Sequence, residues 1–434
     1  MTRETLILGA GMTGLAAGYA SGAPVYDMAD GPGGICRSYY RLPGNIEATT
    51  AAERDAAYRF ENGGGHWIFG GDPLIVAFME RMAPMSRYAR LSSVYFPDSR
   101  TYVPYPLQNN LRYLPEAVRI AALTEMTRTD RPPVATMAEW LEASFGHTLG
   151  ELFFKPFHEL YTAGLFDRIA PQDGYKSPVD VRNVLTGAIS TADAVGYNTT
   201  FLYPRDGLDH LALKMAQHCK VQYGKQVTGI DRKARAVQFS DGSEAGYERL
   251  ISTLPLHHTL QLAGLTVAEP ADPHTAVLVL NIGARKGPAC PPDHWLYIPA
   301  CRSGFHRVGF YSNVTTSFLP AASRAQADAV SIYVERGFPA GSRPDAEATA
   351  AYAREVVEEL QEWGYITDAE VVDPTWIDVA YTWSWPGSTW RGSAMKALEA
   401  EGIYPTGRYA RWIFQGIADS LRDGFIAGNA LAGG

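Results

Sequence analysis

Cysteine is scarce in this chain. The 434 residues hold four, Cys36, Cys219, Cys290 and Cys301, none in a CxxC spacing. That excludes a disulfide scaffold and a zinc ribbon, leaves no metal site to expect, and fits thiols kept reduced in a cytoplasm. No uninterrupted apolar run reaches the roughly 20 residues that cross a bilayer. The chain opens on a strand pattern, not a signal peptide. Positive charge is not in excess: 38 Lys and Arg against 46 Asp and Glu leave a net charge of −8. Nucleic acid and an anionic membrane surface are therefore excluded as main partners. There is no internal repeat and no low-complexity tract. Hydrophobic residues make up 46% of a chain longer than one ordinary core, so a soluble enzyme of two or three domains is expected.

Glycine, by contrast, is concentrated where it carries information. The apolar run Glu4-Thr5-Leu6-Ile7-Leu8 reads as a buried parallel strand and leads into Gly9-Ala10-Gly11-Met12-Thr13-Gly14. A helix-like Leu15-Ala16-Ala17-Gly18-Tyr19-Ala20 follows. Gly9 makes the tight turn, Gly11 admits a pyrophosphate to the backbone, and Gly14 lets helix and strand pack closely. The helix N-terminus offers free N–H groups to phosphate charge. A second strand, Pro24-Val25-Tyr26-Asp27, ends in the carboxylate that such a unit places on a ribose hydroxyl. The second glycine pair, Gly33-Gly34, at this spacing after Asp27, points to FAD over NAD.

The expected fold is α/β: a discontinuous Rossmann-like FAD-binding domain with a helical insertion and an antiparallel-sheet substrate domain. Residues 1–75, 201–270 and 401–434 are assigned to the FAD-binding domain, with Val227 on the cofactor. Residues 76–200 are expected to be mainly helical, with Asp72-Pro73 and the capping box at Thr136 marking helix starts. Residues 271–400 are expected to form antiparallel strands, Ala276–Leu280 and Val330–Val334 the clearest, with a helix near 345–363 ending at Gly364.

Six segments suggest chemistry beyond the cofactor. Asn62-Gly63-Gly64-Gly65-His66-Trp67 is a loop flat enough to lie against an isoalloxazine ring. Val103-Pro104-Tyr105-Pro106-Leu107-Gln108-Asn109-Asn110 offers amides that can read a sugar or a base edge. Lys155-Pro156-Phe157-His158-Glu159-Leu160-Tyr161 resembles a helix kinked at proline, its aromatics by default core. Gly304 through Asn313 places Arg307 in an aromatic strand, with Tyr311 nearby, and an interior arginine needs a carboxylate or a phosphate. Tyr381 through Gly387 is dense in aromatics. Gly407-Arg408-Tyr409 precedes the last helix, close to the flavin.

Taken in order, Gly64–Phe69, Val103–Asn110, Phe201-Leu202-Tyr203-Pro204, Phe305-His306-Arg307 and Gly407-Arg408-Tyr409 resemble UDP-galactopyranose mutase, particularly its longer eukaryotic branch. The resemblance implies a redox-neutral isomerase in carbohydrate biosynthesis, with galactofuranose as the type product. Reduced FAD is the nucleophile: flavin N5 attacks the anomeric carbon of a nucleotide sugar, and the sugar recloses as a furanose before the nucleotide returns. An external reductant such as NADPH would first reduce the flavin. By position, Arg307 and Arg408 are its phosphate arginines, His66 and Gly65 its flavin-side loop, and Gln108 a nucleoside contact. Tyr105, Asn109, Phe157, Tyr161, Tyr311 and Asn313 complete the expected substrate surface. Homo-oligomerisation is left open.

Four positions depart from the family. Trp385 and Phe414 stand where phosphate-binding tyrosines are usual, and His158 and Thr162 where the nucleoside meets asparagine and tryptophan. The base is therefore expected to differ from uracil, with GDP the first choice. Arg182 and Lys176 are the candidates for the mobile-loop arginine. Two other readings stay open at this point: a flavin oxidase or desaturase of the amine-oxidase type, and an FAD-bound scaffold without activity.

Overall fold

The computed structural model describes residues 5–128, 133–172, 180–190 and 199–431. Lys176 lies outside them.

Strand β1 (Thr5–Leu8) is buried along its whole length, and its residues feed two cores. Ile7 packs on one face, Leu6 and Leu8 on the other, as a parallel strand covered on both sides requires. Helix α1 (Met12–Ser21) and strand β2 (Pro24–Tyr26) follow. A five-stranded parallel sheet forms in the order Lys220–Gln222, β2, β1, Arg249–Ser252, Ile403–Pro405. Its strands thus come from three separated stretches of sequence. The terminal helix Ile417–Leu431 lies against α1 through glycines: a Cβ at Gly424 would stand 2.2 Å from the Thr13 carbonyl oxygen, and one at Gly428 2.4 Å from that of Ala17.

A seven-stranded sheet runs in the order Ile366–Thr382, His274–Lys286, Ala329–Pro339, Arg307–Phe310, Trp295–Tyr297, Ser92–Phe96, Thr101–Pro104. It is antiparallel except where Trp295–Tyr297 pairs in parallel with Ser92–Phe96. The last two strands, with Met85–Ala89, lie within the stretch from residue 76 that was expected to be mainly helical. Ser92–Phe96 and Thr101–Pro104 are rich in β-branched and aromatic residues, which suit a pleated, half-buried surface. Beyond them lie the helices Glu116–Met126, Met137–Leu149, Lys155–Tyr161 and Val181–Ile189. Thr136 and Glu139 form the capping box that starts the second of these, and Asp72 caps Pro73–Met82.

Alternation along the strands splits the large sheet into two faces. Leu278, Leu280, Val308, Ile332 and Val334 pack beneath the helix Ala346–Glu362. Val277, Val279 and Tyr333 turn the other way, into the core shared with the parallel sheet. Among the described residues no helix is long and apolar enough to cross a membrane.

Candidate functional site

The glycine loop is shaped by what its Cβ positions would meet. At Gly9, φ is +95° and a Cβ would stand 2.2 Å from Thr253 Oγ1; at Gly14 it would stand 1.8 Å from the Gly9 carbonyl oxygen. At Gly11 it would meet nothing within 4 Å, so open space borders the backbone there. Gly11 is also the N-cap of α1 and provides no side-chain cap, which leaves the first-turn amides available to an anion. The second pair closes on the first: the Gly33 amide donates to the Ala10 carbonyl at 2.9 Å, and both Gly33 and Gly34 have positive φ. Asp27 follows β2; its carboxylate accepts the amides of Ala10 (2.6 Å) and Ala29 (2.8 Å) and keeps further lone pairs. Val227 begins a strand next to this corner, where the Lys225 amide donates to the Asp27 carbonyl. Open backbone, uncapped amides and a carboxylate in this order fit a dinucleotide.

Next to this loop lies a cavity of about 240 Å³ between the parallel-sheet domain and the large sheet. Gly63, Gly65, His66 and Trp67 form one side, Tyr105, Phe157, His158 and Tyr161 another, and Arg307, Arg408 and Phe414 also reach it. Gly407 explains the nearness of Arg408 to α1: its φ is +84°, and a Cβ would stand 2.4 Å from Thr13 Oγ1.

Arg307 pairs across neighbouring strands with Glu335, in direct register, at 3.2 Å. Glu335 is 3% exposed. Burial pushes its carboxyl up, but Arg307 and His306 outweigh burial and hold it below the usual value. Tyr381 donates to the same carboxylate at 3.4 Å. Arg408 donates to the carbonyls of Gln415 (3.2 Å) and Ala380 (3.1 Å), with the Phe414 ring 4.7 Å away. The Nε of Arg307 and the Nε of Arg408 are buried with no hydrogen-bond partner among the described residues. His66 is held down to about 4, first by burial and then by Arg408, so it is neutral at physiological pH. Its Nδ1 lies 3.3 Å from the Gly64 carbonyl oxygen.

Other candidates fall elsewhere. Gln108 and Asn109 are buried in the turn Leu107–Asn109, against Val181–Ile189, where a Cβ at Gly187 would stand 1.8 Å from the Asn109 carbonyl oxygen. Thr162 spends its hydroxyl on its own helix, donating to the His158 carbonyl and accepting from Leu165. Tyr311 is buried and donates to Asn281; Asn313 donates to the carbonyls of Pro291 and Asp293. Trp385 is tied by its indole to the Ala271 carbonyl, and Arg182 is exposed in the first turn of its helix. None of these seven lines the cavity.

Glu335, Tyr333 and Tyr297 line it without having been singled out in the sequence. The available signal was the alternation in Val330-Ser331-Ile332-Tyr333-Val334-Glu335, which puts Ser331, Tyr333 and Glu335 on one face of a strand too apolar to be at the surface. One cluster near the surface, half-buried Glu142 with exposed His147 and Glu151, has metal-ligand spacing. The Lys155 ammonium stands 2.8 Å from Glu142 and 2.6 Å from Glu151, so a cation is already built in.

No protein-family model matches the chain. Among solved structures, it is similar to a reduced UDP-galactopyranose mutase at TM-score 0.84 and 23% identity, covering 99% of this chain and 95% of that one. It is also similar to a protein assigned as a protoporphyrinogen oxidase from Exiguobacterium sp. 255-15, at TM-score 0.72 and 13% identity over 100% and 99% of the two chains. A putrescine oxidase bound to putrescine follows at TM-score 0.58 and 13% identity, over 99% and 98%. The chain thus has the mixed α/β fold shared by a mutase and by oxidases.

Proposed function

We propose that this protein is a flavin-dependent mutase that interconverts the pyranose and furanose forms of a nucleoside-diphosphate sugar. The observation that carries the reading is the pair of guanidinium groups on one cavity, each with a buried Nε–H that no atom of the described residues accepts. An unpaired buried donor costs about 1–3 kcal/mol, and the oxygens of a diphosphate would satisfy both. Similarity to the mutase fold at TM-score 0.84 supports the same reading.

The glycine loops, the α1 N-terminus and Asp27 would hold FAD, which supplies the nucleophilic nitrogen when reduced. The remaining work falls to the chain. Arg307, kept in place by Glu335, and Arg408, kept in place by two carbonyls, retain the departing nucleotide so that it can return. Neutral His66 lines the cavity without repelling the arginines. Tyr333, Tyr381 and Phe157 wall the sugar from water. At about 240 Å³ the cavity is smaller than the roughly 300–1,000 Å³ of ordinary ligand pockets, so binding has to displace side chains. The aromatic side formed by Phe157, Tyr161 and Tyr105 suits a purine, and GDP is our first choice of base.

A second reading, an oxidase of the amine-oxidase type, is favoured by one feature: Glu335 cancels the charge of Arg307 amid aromatic walls. Titration of FAD-loaded, reduced protein with UDP, GDP, ADP and dTDP, followed by flavin fluorescence, separates the two. We expect binding, GDP at least as tight as UDP, and losses of roughly 10- to 150-fold in Arg307→Ala and Arg408→Ala, the equivalent of about 1.5–3 kcal/mol. Clear preference for UDP overturns the choice of base. Absence of nucleotide binding, or equal binding by both variants, overturns the mutase.

A further inference from the structure

We infer that the opposite face of the large sheet carries a second binding site, for a flat apolar ring system bearing one anionic group. A groove of about 850 Å³ runs between the helix Ala346–Glu362 and the edge strand Ile366–Thr382. That size lies within the roughly 300–1,000 Å³ of ligand pockets. Its lining shares no residue with the central cavity. Leu278 and Trp376 turn into the groove while their neighbours Val277 and Ile377 turn into the cavity, so the sheet separates the two.

The hollow has a cause in the sequence. The second half of the helix reaches the sheet with Val356 and Leu360. The first half presents Ala346, Ala350 and Ala353, too short to fill the space above Leu278 and Val372. Trp376 forms the facing wall, and its indole N–H is tied to Asp378 at 2.6 Å, which fixes the ring plane. A slot between a fixed indole and a row of methyl groups selects a flat, stackable body.

The charge at one end selects the rest of the ligand. The Arg343 guanidinium lies 5.6 Å from the Trp376 ring centre, and Arg354 projects from the helix one wall over. Among the described residues neither has a carboxylate within the 4.0 Å of an ion pair. Of the two acids on the lining, Asp345 is occupied as the helix N-cap, accepting the Ala348 amide at 2.8 Å, and Glu358 lies a turn beyond Arg354, away from Arg343. An anionic group therefore belongs at the Arg343 end, beside Trp376.

The test uses 1-pyrenesulfonate, four fused rings and one sulfonate, against FAD-loaded protein. Saturable one-to-one binding is expected by fluorescence anisotropy, unaffected by saturating GDP or UDP. Ala350→Leu, which fills the slot from an exposed helix position, and Arg343→Glu, in an exposed loop, should each weaken it about tenfold or more with little change in melting temperature. Absence of binding, displacement by nucleotide, or unchanged affinity in Arg343→Glu overturns the proposal. A change of oligomeric state in Ala350→Leu also overturns it, because the groove would then be an interface between copies.

Discussion

At the residue scale, Arg307 and Glu335 are bound to each other before any ligand arrives. Removing one partner leaves the other charge buried, which costs about 3–5 kcal/mol, whereas replacing both with apolar residues is often close to neutral. Arg307→Ala should therefore lower the melting temperature, while Arg307→Met combined with Glu335→Leu should restore it without restoring nucleotide binding. Equal melting temperatures for wild type and Arg307→Ala would show that the pair is not coupled. The glycines allow a second separation. A Cβ at Gly11 enters open space, whereas one at Gly14 collides with backbone. Gly11→Val should fold like wild type and lose FAD; Gly14→Val should lose the fold itself. Full flavin occupancy in purified Gly11→Val, read from its absorption spectrum, would remove the role given to that loop.

At the scale of elements, the packing of Ile417–Leu431 on α1 sets the position of the loop that would hold the cofactor. Gly424→Val places side-chain atoms against the Thr13 carbonyl and should destabilise the protein by roughly 1–3 kcal/mol, measured by urea denaturation; an unchanged midpoint would mean the helix moves freely. What could be read from sequence follows the same logic of distance. Strand, glycine loop and α1 are contiguous, so their order alone identified them. Ser92–Phe96 finds its parallel partner at Trp295–Tyr297, some two hundred residues on, and no local pattern announces such a pairing. Arg307 was legible as an interior arginine in need of a partner, but Glu335 is specified only by register. Tyr311, Asn313 and Trp385 sit in aromatic, polar-flecked segments that look like a site and serve as core and loop anchors. Thr162 belongs to the site only through the family resemblance, and its hydroxyl is spent on the helix that carries it.

At the scale of the whole molecule, buried titratable groups set the pH response. His66, His257 and His294 are all held down to about 4, chiefly by burial. Their unfolded counterparts take up protons below about 6.5, so these groups make stability fall as pH drops from 6.5 toward 4. Glu61 acts in the opposite sense. Burial lifts it to about 7, so stability is lost as pH rises from about 4.5 to 7 and is level above that. His274 and His306 are also held down by burial, and Asp209 and Asp293 are raised like Glu61, so the histidines outnumber the carboxyls, each group worth at most about 1.4 kcal/mol per pH unit. Stability should fall on acidification from pH 6.5 to 4.5, and more steeply in Glu61→Gln. A rise in the urea midpoint over that interval would contradict the balance.

The most direct measurement compares turnover by oxidised and reduced protein. FAD-loaded enzyme, with and without anaerobic dithionite, is incubated with UDP- and GDP-hexopyranoses, and the products are resolved by anion-exchange chromatography. The expected result is pyranose–furanose interconversion by the reduced enzyme alone, with no reductant consumed per product formed. Equal turnover by oxidised enzyme, or one reductant spent for each product, would contradict the mutase.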